Sequence, residues 1–279
     1  MQDSSQSNNP IEQKFRELGN RGEGVIVAYL MGYDPDPKAF RDNAVSLIEG
    51  GADILEVGIP FSDPMADGPV IQASGRRALS VGATPRKILD TIGELSPQFT
   101  TPFVILTYYN PVLAMGMDEF MRKASDNGVD GVVVPDLPME EADRFRDMAL
   151  KNSVDSIYLA APNTSEKRLL SIIEKSRGFV YLVSLYGVTG ARDTLSPQAL
   201  ETVKRVKSLS KEIIPVSAGF GISQPEHVSS LLRAGADGAI VGSALVRTVA
   251  EHLDDPGEAQ YHLKKTISAL KQASKQPSC

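Results

Sequence analysis

Eight short apolar runs recur along the chain and alternate with segments whose apolar residues have helical spacing. Runs that are apolar on both faces are typical of parallel strands covered on both sides. Because eight of them alternate strictly with helical segments, the pattern favours a closed (β/α)8 TIM barrel of the α/β class over an open sheet. The expected strands are residues 24–30, 53–58, 103–107, 131–135, 156–161, 179–184, 213–217 and 238–242, and the expected helices include 37–48, 117–127, 139–151, 166–175, 196–209 and 225–234.

The length and the two ends of the chain indicate a single barrel with short tails. With 279 residues and 42% hydrophobic content, the chain can bury a large core. Residues 11–21 predict a short N-terminal helix that caps the floor of the barrel. Since both ends are rich in small polar residues, we expect flexible tails at 1–10 and 273–279 and one barrel domain over 11–272.

The composition excludes several classes of function. The formal charge of −6 and the lack of a dense Lys/Arg stripe argue against a nucleic-acid partner. Cys279 is the only cysteine, so we expect neither disulfides nor a thiolate cluster for zinc, and a reducing compartment fits. Residues 1–9 lack the features of a signal peptide, and no run approaches about 18 apolar residues. We therefore expect a soluble cytoplasmic protein without a membrane partner.

One glutamate, Glu56, lies within the apolar run expected to form the second strand. A carboxylate there is unfavourable unless it is paired or used, because burial disfavours its charged form and raises its pKa. Asp67 follows eleven positions later, in a loop dense in Pro, Gly and Asp that can return it over the strand end. The two carboxylates are candidates for two different acid/base roles. The alternative for Glu56 is a buried ion pair with a neighbouring strand.

Other polar side chains are expected at the C-terminal ends of the strands, where barrels of this kind place their chemistry. These side chains are Tyr108, Tyr109, Asn110, Asp136, Asn163 and Tyr181. Two glycine-rich segments, 187–190 and 219–223, and the pair Gly242-Ser243 follow the last three strands. Glycines let backbone N–H groups approach a ligand, and a helix N-terminus adds donors that favour anions. Together they predict a phosphate cradle.

The histidines offer little for catalysis. They lie in helical stretches of the last quarter of the chain, where packing or surface roles are usual, and they are His227, His252 and His262. This placement argues against Ser-His-Asp and Cys-His catalysis and against most metal sites. A metal site at Asp63, Asp67 and Asp136 stays conceivable, although prolines separate the loop acids and no regular ligand spacing appears.

The segment from Glu56 to Pro69 also resembles a family signature. A glutamate at a strand end, followed by Pro-Phe-Ser-Asp-Pro-x-Ala-Asp-Gly-Pro, is similar to the catalytic segment of the alpha subunit of tryptophan synthase. The resemblance covers roughly residues 13–270 and includes the segments 28–35, 107–111, 135–138 and 182–190.

This resemblance implies a substrate, a reaction and roles for named residues. The substrate would be indole-3-glycerol phosphate, cleaved by retro-aldol chemistry to indole and glyceraldehyde 3-phosphate, and no cofactor is implied. Glu56 would be the acid/base, Asp67 would accept the indole N–H, and Tyr181 would be a hydrogen-bonding neighbour. The apolar walls for the indole would be Tyr29, Ile71, Tyr108 and Phe220. Contacts near the phosphate would come from Thr189, Gly190, Gly221, Gly242 and Ser243.

The resemblance further implies a partner. An alpha subunit would pass its indole to a pyridoxal-phosphate-dependent β subunit, within an α2β2 heterotetramer that makes tryptophan. A free-standing lyase that releases indole and a non-catalytic regulatory or binding barrel are the alternatives, and the presence of both carboxylates weighs against the second. Many family members have a basic and a small residue where this chain has Leu185-Tyr186, which puts the closing contacts of that loop and its coupling to a partner in question.

Overall fold

The computed structural model describes residues 9–183, 194–211 and 213–275. Within these ranges nine parallel strands alternate with helices along the chain. The strands are β1 (Val25–Met31), β2 (Ile54–Gly58), β3 (Phe103–Leu106), β4 (Val129–Val133), β5 (Asp155–Ile157), β6 (Leu159–Ala160), β7 (Val180–Val183), β8 (Val216–Gly219) and β9 (Gly238–Val241).

Twelve α-helices lie in the same described ranges, with short 3-10 helices at Ser96–Gln98 and Met139–Glu141. The α-helices are α1 (Pro10–Gly19), α2 (Pro37–Gly50), α3 (Pro69–Ser80), α4 (Pro85–Leu95), α5 (Tyr109–Met115), α6 (Met117–Asp126), α7 (Asp143–Lys151), α8 (Glu166–Lys175), α9 (Pro197–Ser210), α10 (Pro225–Arg233), α11 (Ser243–Glu251) and α12 (Pro256–Ser274). No helix in the described part of the chain combines the length and apolar content of a membrane span.

The sheet closes on itself through the fifth predicted strand. The strand order is β5-β4-β3-β2-β1-β9-β8-β7-β6, and only Tyr158 separates β5 from β6 along the chain. β5 pairs with β4, whereas β6 pairs with β7. The Tyr158 carbonyl also accepts a hydrogen bond of 3.1 Å from the Tyr181 N–H. The segment thus acts as one interrupted strand, and the predicted (β/α)8 barrel is confirmed.

One predicted strand lies a few residues too early. Residues 213–217 were expected to form it, but β8 spans Val216–Gly219. Ile213 is 70% exposed, and its N–H is bonded to the carbonyl of Ser210 in the turn that follows α9. Ile213 therefore extends the apolar run in the sequence, but it lies in a turn and not in the strand.

Helix α1 closes the lower end of the barrel, as the sequence predicts. Asn9 caps it by accepting a hydrogen bond of 2.8 Å from the Ile11 N–H. Ile11, Phe15 and Leu18 are buried and belong to one cluster with the inward-facing residues of the strands. The ring of Phe15 lies 5.6 Å from that of Phe179 at the start of β7. Because the floor is filled by side chains, only the C-terminal end of the barrel is left for a ligand.

A three-residue repeat lies at the start of four strands at this lower end. In each copy the first residue has a left-handed φ between 58° and 106°, the second is a buried Ala or Val, and the third is an aspartate. The copies are Gly51-Ala52-Asp53, Gly128-Val129-Asp130, Ser153-Val154-Asp155 and Gly235-Ala236-Asp237. The left-handed residue turns the chain from a helix into the next strand, which is a conformation that glycine adopts at low cost.

The aspartates of this repeat tie neighbouring strands together. The carboxylates of Asp53, Asp130 and Asp237 accept backbone N–H bonds of 2.8, 2.9 and 2.7 Å from the neighbouring segments. The fourth, Asp155, is instead paired with Arg177 at 3.1 Å. These bonds satisfy N–H groups at the strand starts that the ladder leaves free.

The last helix continues past the expected end of the barrel domain. Ser274 is buried, and its carbonyl accepts a hydrogen bond of 2.9 Å from the Gly24 N–H. Lys275 then forms an isolated antiparallel bridge with Glu23. The end of α12 is therefore attached to the segment that leads into β1.

Candidate active site

Glu56 lies in the middle of β2, in register with Tyr29 of β1 and Val104 of β3. Its side chain is fully buried, and its Oε2 accepts a long hydrogen bond of 3.4 Å from the Tyr181 hydroxyl. The other oxygen, Oε1, has no hydrogen-bond partner in the described part of the chain. No basic group within the described ranges pairs with Glu56, so the ion-pair alternative finds no support there.

Burial is the main reason why Glu56 is an unusually weak acid. It raises the pKa of Glu56 to about 8, opposed by the hydrogen bond from Tyr181 and helped by the negative charge of Asp67. Near neutral pH the side chain therefore holds a proton, and its unbonded oxygen is free to give or take one. This is the protonation state that a general acid requires.

Asp67 lies at the end of loop 62–68, between β2 and α3, and is half-buried. The Tyr108 hydroxyl accepts a hydrogen bond of 2.9 Å from the Ala66 N–H and also bonds to the Asp67 carboxylate. The Gln72 side chain donates to the Asp67 carbonyl at 2.9 Å. Burial raises the pKa of Asp67 to about 6, and the bond from Tyr108 opposes that rise. At neutral pH Asp67 is therefore mainly ionised while Glu56 is mainly protonated.

Tyrosine side chains surround the two acids. Tyr181 lies in β7, opposite Leu159 and Ser217, and Tyr29 lies in β1. Burial and the nearby carboxylates raise the pKa of both hydroxyls well above the usual value, so both stay protonated. The Tyr29 hydroxyl occupies the space beside Gly58, where an added Cβ would lie only 2.2 Å from it. A glycine at the end of β2 is therefore needed for this ring.

The expected indole walls do not all have the same surroundings. Ile71, in the first turn of α3, and Phe220, directly after β8, are half-buried and pack against the core. Tyr108 is buried, with its ring 5.5 Å from that of Phe61, and its hydroxyl is used by loop 62–68. The hydrogen bonds of Tyr108 were not predicted, because they depend on how the loop folds back over the barrel.

A cavity of about 410 Å³ opens at the C-terminal ends of β6 and β7. Its volume is within the range of small-molecule sites. Leu159 of this cavity is in register with Tyr181, whose hydroxyl bonds to Glu56. Its lining is Leu159, Ala160, Ala161, Asn163, Thr164, Ser165, Arg168 and Val183. Of these, sequence reasoning had singled out only Asn163; the others could have been found only from their position at the strand ends.

Two parts of the predicted phosphate cradle fall within the described residues. Gly221 has a left-handed φ of 72° in the loop after β8. Gly242 is the N-cap of α11, where no side chain caps the helix, and Ser243 begins the helix. A Cβ at Gly242 would lie 3.7 Å from the Tyr29 ring, which is ordinary contact, so the fold itself does not require glycine here. The predicted residues Thr189 and Gly190, and Leu185-Tyr186, lie outside the described residues.

In the described part of the chain, no hydrogen bond joins Asp136 or a histidine to Glu56 or Asp67. Asp136 accepts a hydrogen bond of 2.8 Å from the Tyr109 N–H. His227 is buried in α10, and the ring of His252, after α11, stacks 4.8 Å from that of His262 on α12. Among the residues that the structure describes, no cluster of His, Cys, Asp or Glu could hold a metal ion.

Comparison with known proteins shows the family of the chain. Residues 15–275 match the family model of the tryptophan synthase alpha chain. The tryptophan synthase alpha chain of Methanocaldococcus jannaschii is 47% identical over 89% of this chain and 87% of its own length, and that of Arabidopsis thaliana is 38% identical over 94% of both. A solved tryptophan synthase from Mycobacterium tuberculosis superimposes with a TM-score of 0.87 at 35% identity, over 96% of this chain and 98% of that one. With nearly its whole length matched in sequence and in structure, the chain belongs to the tryptophan synthase alpha chain family.

Proposed function

We propose that Glu56 and Asp67 carry out the carbon–carbon lyase reaction of this family, the cleavage of indole-3-glycerol phosphate to indole and glyceraldehyde 3-phosphate. The observation that supports this most is the contrast between the two carboxyl groups. One is buried and protonated near neutral pH, and the other is ionised and faces the barrel mouth from a loop. Two acids with separated pKa values match a reaction that needs a proton donor and an anion at once.

The first step is a proton transfer from Glu56 to carbon 3 of the indole ring. The ring becomes an indolenine-like cation, and Glu56 becomes a carboxylate. Asp67 accepts the N–H bond of the ring and stabilises its positive charge. Because Asp67 is held by Tyr108 and Gln72, this carboxylate is positioned before the charge develops.

In the second step the Glu56 carboxylate removes the proton of the hydroxyl next to the scissile bond. The oxygen forms the aldehyde of glyceraldehyde 3-phosphate, the carbon–carbon bond breaks, and its electron pair returns to the ring to give indole. Glu56 ends with its proton restored, so no co-reactant is consumed. The Tyr181 hydroxyl, 3.4 Å from Oε2, supports the carboxylate that exists between the two steps.

The phosphate is proposed to bind opposite this acid centre, at the loop after β8 and the start of α11. The N–H groups at the start of α11, which no side chain in the described part of the chain caps, support an anion there. Tyr29, which lies between Gly58 and Gly242, would then separate the phosphate from the reacting carbon. No cofactor is assigned to this chain, since each proton transfer is accounted for by a side chain, and pyridoxal phosphate is assigned to the β subunit.

The partner of the chain is a tryptophan synthase β subunit, and we propose an α2β2 heterotetramer in the cytoplasm. Loop 62–68 holds Asp67 on one side and exposes Asp63 and Met65 on the other, with Met65 91% exposed. A surface that docks on this loop would therefore also fix a catalytic carboxylate.

The test of the mechanism is Glu56→Gln, which keeps the size of the side chain but removes its titratable proton. Cleavage of indole-3-glycerol phosphate should fall by a factor on the order of 10² or more. Circular dichroism serves as the folding control, because Gln can still accept the Tyr181 bond. A folded variant with ordinary activity would contradict this mechanism.

A further inference from the structure

We propose that His227 is a positioning residue for the substrate phosphate, acting through the loop of residues 219–223. This inference rests on the proposed phosphate site, because it gives a role to a side chain behind that site. His227 does not reach the barrel mouth itself. Its importance would lie in the shape that it imposes on the backbone of the loop.

The contact is made in the first turn of α10. Among the described residues, the N-cap residue Gln224 makes no side-chain capping bond. The imidazole Nδ1 of His227 instead accepts a hydrogen bond of 3.3 Å from the Ser223 N–H. The third residue of the helix thus reaches back to the residue before the cap, in the manner of a capping box. The bond fixes the point at which the loop enters the helix.

The other ring nitrogen of His227, Nε2, is buried without a hydrogen-bond partner among the described residues. The side chain is only 2% exposed, and Nε2 has no hydrogen-bond partner within the described ranges. Because Nδ1 accepts a backbone N–H, the ring proton of the neutral imidazole is on Nε2. A buried donor without an acceptor is unfavourable for folding. A side chain that lowers the stability of the fold but holds a loop in place is more typical of a functional site than of a hydrophobic core.

The loop that His227 holds is anchored at its C-terminal end, at Ile222 and Ser223, and is more exposed just before that end. Ile222 is buried in the core next to Ser223, while Gly221 is exposed and has its left-handed φ of 72°. Phe220, one residue earlier, is the expected indole wall. A shift of this loop would therefore displace the phosphate contact and the indole contact together.

Two substitutions separate the hydrogen bond from the volume of the ring. Asn places an acceptor where Nδ1 now lies, so His227→Asn keeps the bond to Ser223, whereas His227→Leu fills similar space without an acceptor. Inorganic phosphate and glyceraldehyde 3-phosphate should bind about three- to tenfold more weakly to the Leu variant, the effect of one lost hydrogen bond. The Asn variant should stay within about twofold of the parent protein.

Steady-state kinetics and thermal unfolding distinguish positioning from general stability. In the Leu variant KM for indole-3-glycerol phosphate should rise with kcat changed much less, because ground-state and transition-state contacts to the phosphate are lost equally. Unchanged phosphate affinity in a folded Leu variant would overturn the inference, and so would equal losses in the Leu and Asn variants, which would indicate ring packing alone.

Gly242→Ala separates this inference from the assignment of the phosphate site. The added methyl group would lie in ordinary contact with Tyr29. If phosphate binds at the start of α11, this group should crowd the backbone there and weaken phosphate binding independently of His227. If Gly242→Ala weakens binding and His227→Leu does not, the role of His227 is wrong. If neither substitution changes binding, the phosphate site itself is wrong.

Discussion

At the scale of single residues, the chemistry of this protein depends on a carboxyl group that the fold would be more stable without. Glu56 is surrounded by apolar strands, and within the described residues one long hydrogen bond offsets the loss of water around it. Burial raises the pKa of Glu56, and the same burial lowers the stability of the folded protein. Function and stability are therefore opposed at this position.

Glu56→Gln should stabilise the protein by an amount that grows with pH. Since burial raises the pKa of Glu56 from 4.5 to about 8, the folded chain binds a proton that the unfolded chain has already released in this range. The stability that the proton contributes is complete below about pH 4.5 and is lost as the pH rises through 8. At pH 8 the variant should gain on the order of 4 kcal/mol more than at pH 4.5.

Urea unfolding of both proteins at pH 5 and pH 8 measures this difference. Buried acids that are not coupled to Glu56 are common to the two proteins and cancel in the comparison. A gain that is the same at both pH values would mean that Glu56 does not have a raised pKa in the folded protein.

Tyr108→Phe should move the acidic limb of the pH–rate profile to higher pH. The Tyr108 hydroxyl bonds to the Asp67 carboxylate and lowers its pKa against the effect of burial, which sets the value near 6. Without the hydroxyl, Asp67 would ionise at higher pH, and kcat/KM would reach its plateau later. The measurement is kcat/KM for indole-3-glycerol phosphate from pH 5 to 9. An acidic limb that stays in place, or moves to lower pH, would contradict the proposed role of Asp67.

At the scale of elements, the aspartate repeat at the barrel floor makes a stability prediction. Asp130→Ala leaves the Phe103 N–H without its acceptor and should destabilise the protein by about 1–3 kcal/mol. Asp130→Asn is the matched control, since its amide oxygen can accept the same bond. Burial raises the pKa of Asp130 to about 6, so the Asn variant also avoids an ionised buried group at pH 7.5 and should be at least as stable as the parent.

Chemical denaturation at pH 7.5 checks this pair of variants. If Ala and Asn destabilised the protein equally, the carboxylate would act through something other than the bond to Phe103. Neither change should alter the kinetics, because Asp130 lies at the end of the barrel away from Glu56.

The elements also show how far sequence reasoning reaches. Each predicted strand exists because a buried parallel strand must be apolar on both faces, which is a strong local signal. The interruption at Tyr158 was not predictable, since residues 156–161 form one continuous apolar run. The aspartate repeat was not predicted because it consists of one left-handed residue and one carboxylate. The carboxylate has a partner only when the neighbouring strand is in place.

For some residues of the candidate site the surroundings could be predicted from the sequence, and for others they could not. The burial of Glu56 follows from the strand that contains it. The contacts of Tyr108 with Ala66 and Asp67 join residues about forty positions apart, so they depend on the path of loop 62–68. The unsatisfied nitrogen of His227 likewise has no local sequence signal.

At the scale of the whole molecule, a partner should control the rate. The isolated chain is expected to be a poor enzyme, because Asp67 is held in place by a loop that is exposed on its outer side. A tryptophan synthase β subunit from the same source should accelerate indole release at least about tenfold, equivalent to about 1.4 kcal/mol of barrier. The assay is cleavage of indole-3-glycerol phosphate with and without that subunit. Full activity alone, with no change on adding the β subunit, would favour a free-standing lyase.

The closed floor of the barrel determines where a fusion partner or a surface tether can be joined to the protein. Helix α1 fills the floor, and Lys275 pairs with Glu23 near the start of β1, so both ends of the described chain lie on the side opposite the catalytic mouth. A fluorescent protein or a surface tether joined at either end would leave the mouth open to solvent. Immobilised in this way, the enzyme would present its active site outward, and substrate could enter from one direction only.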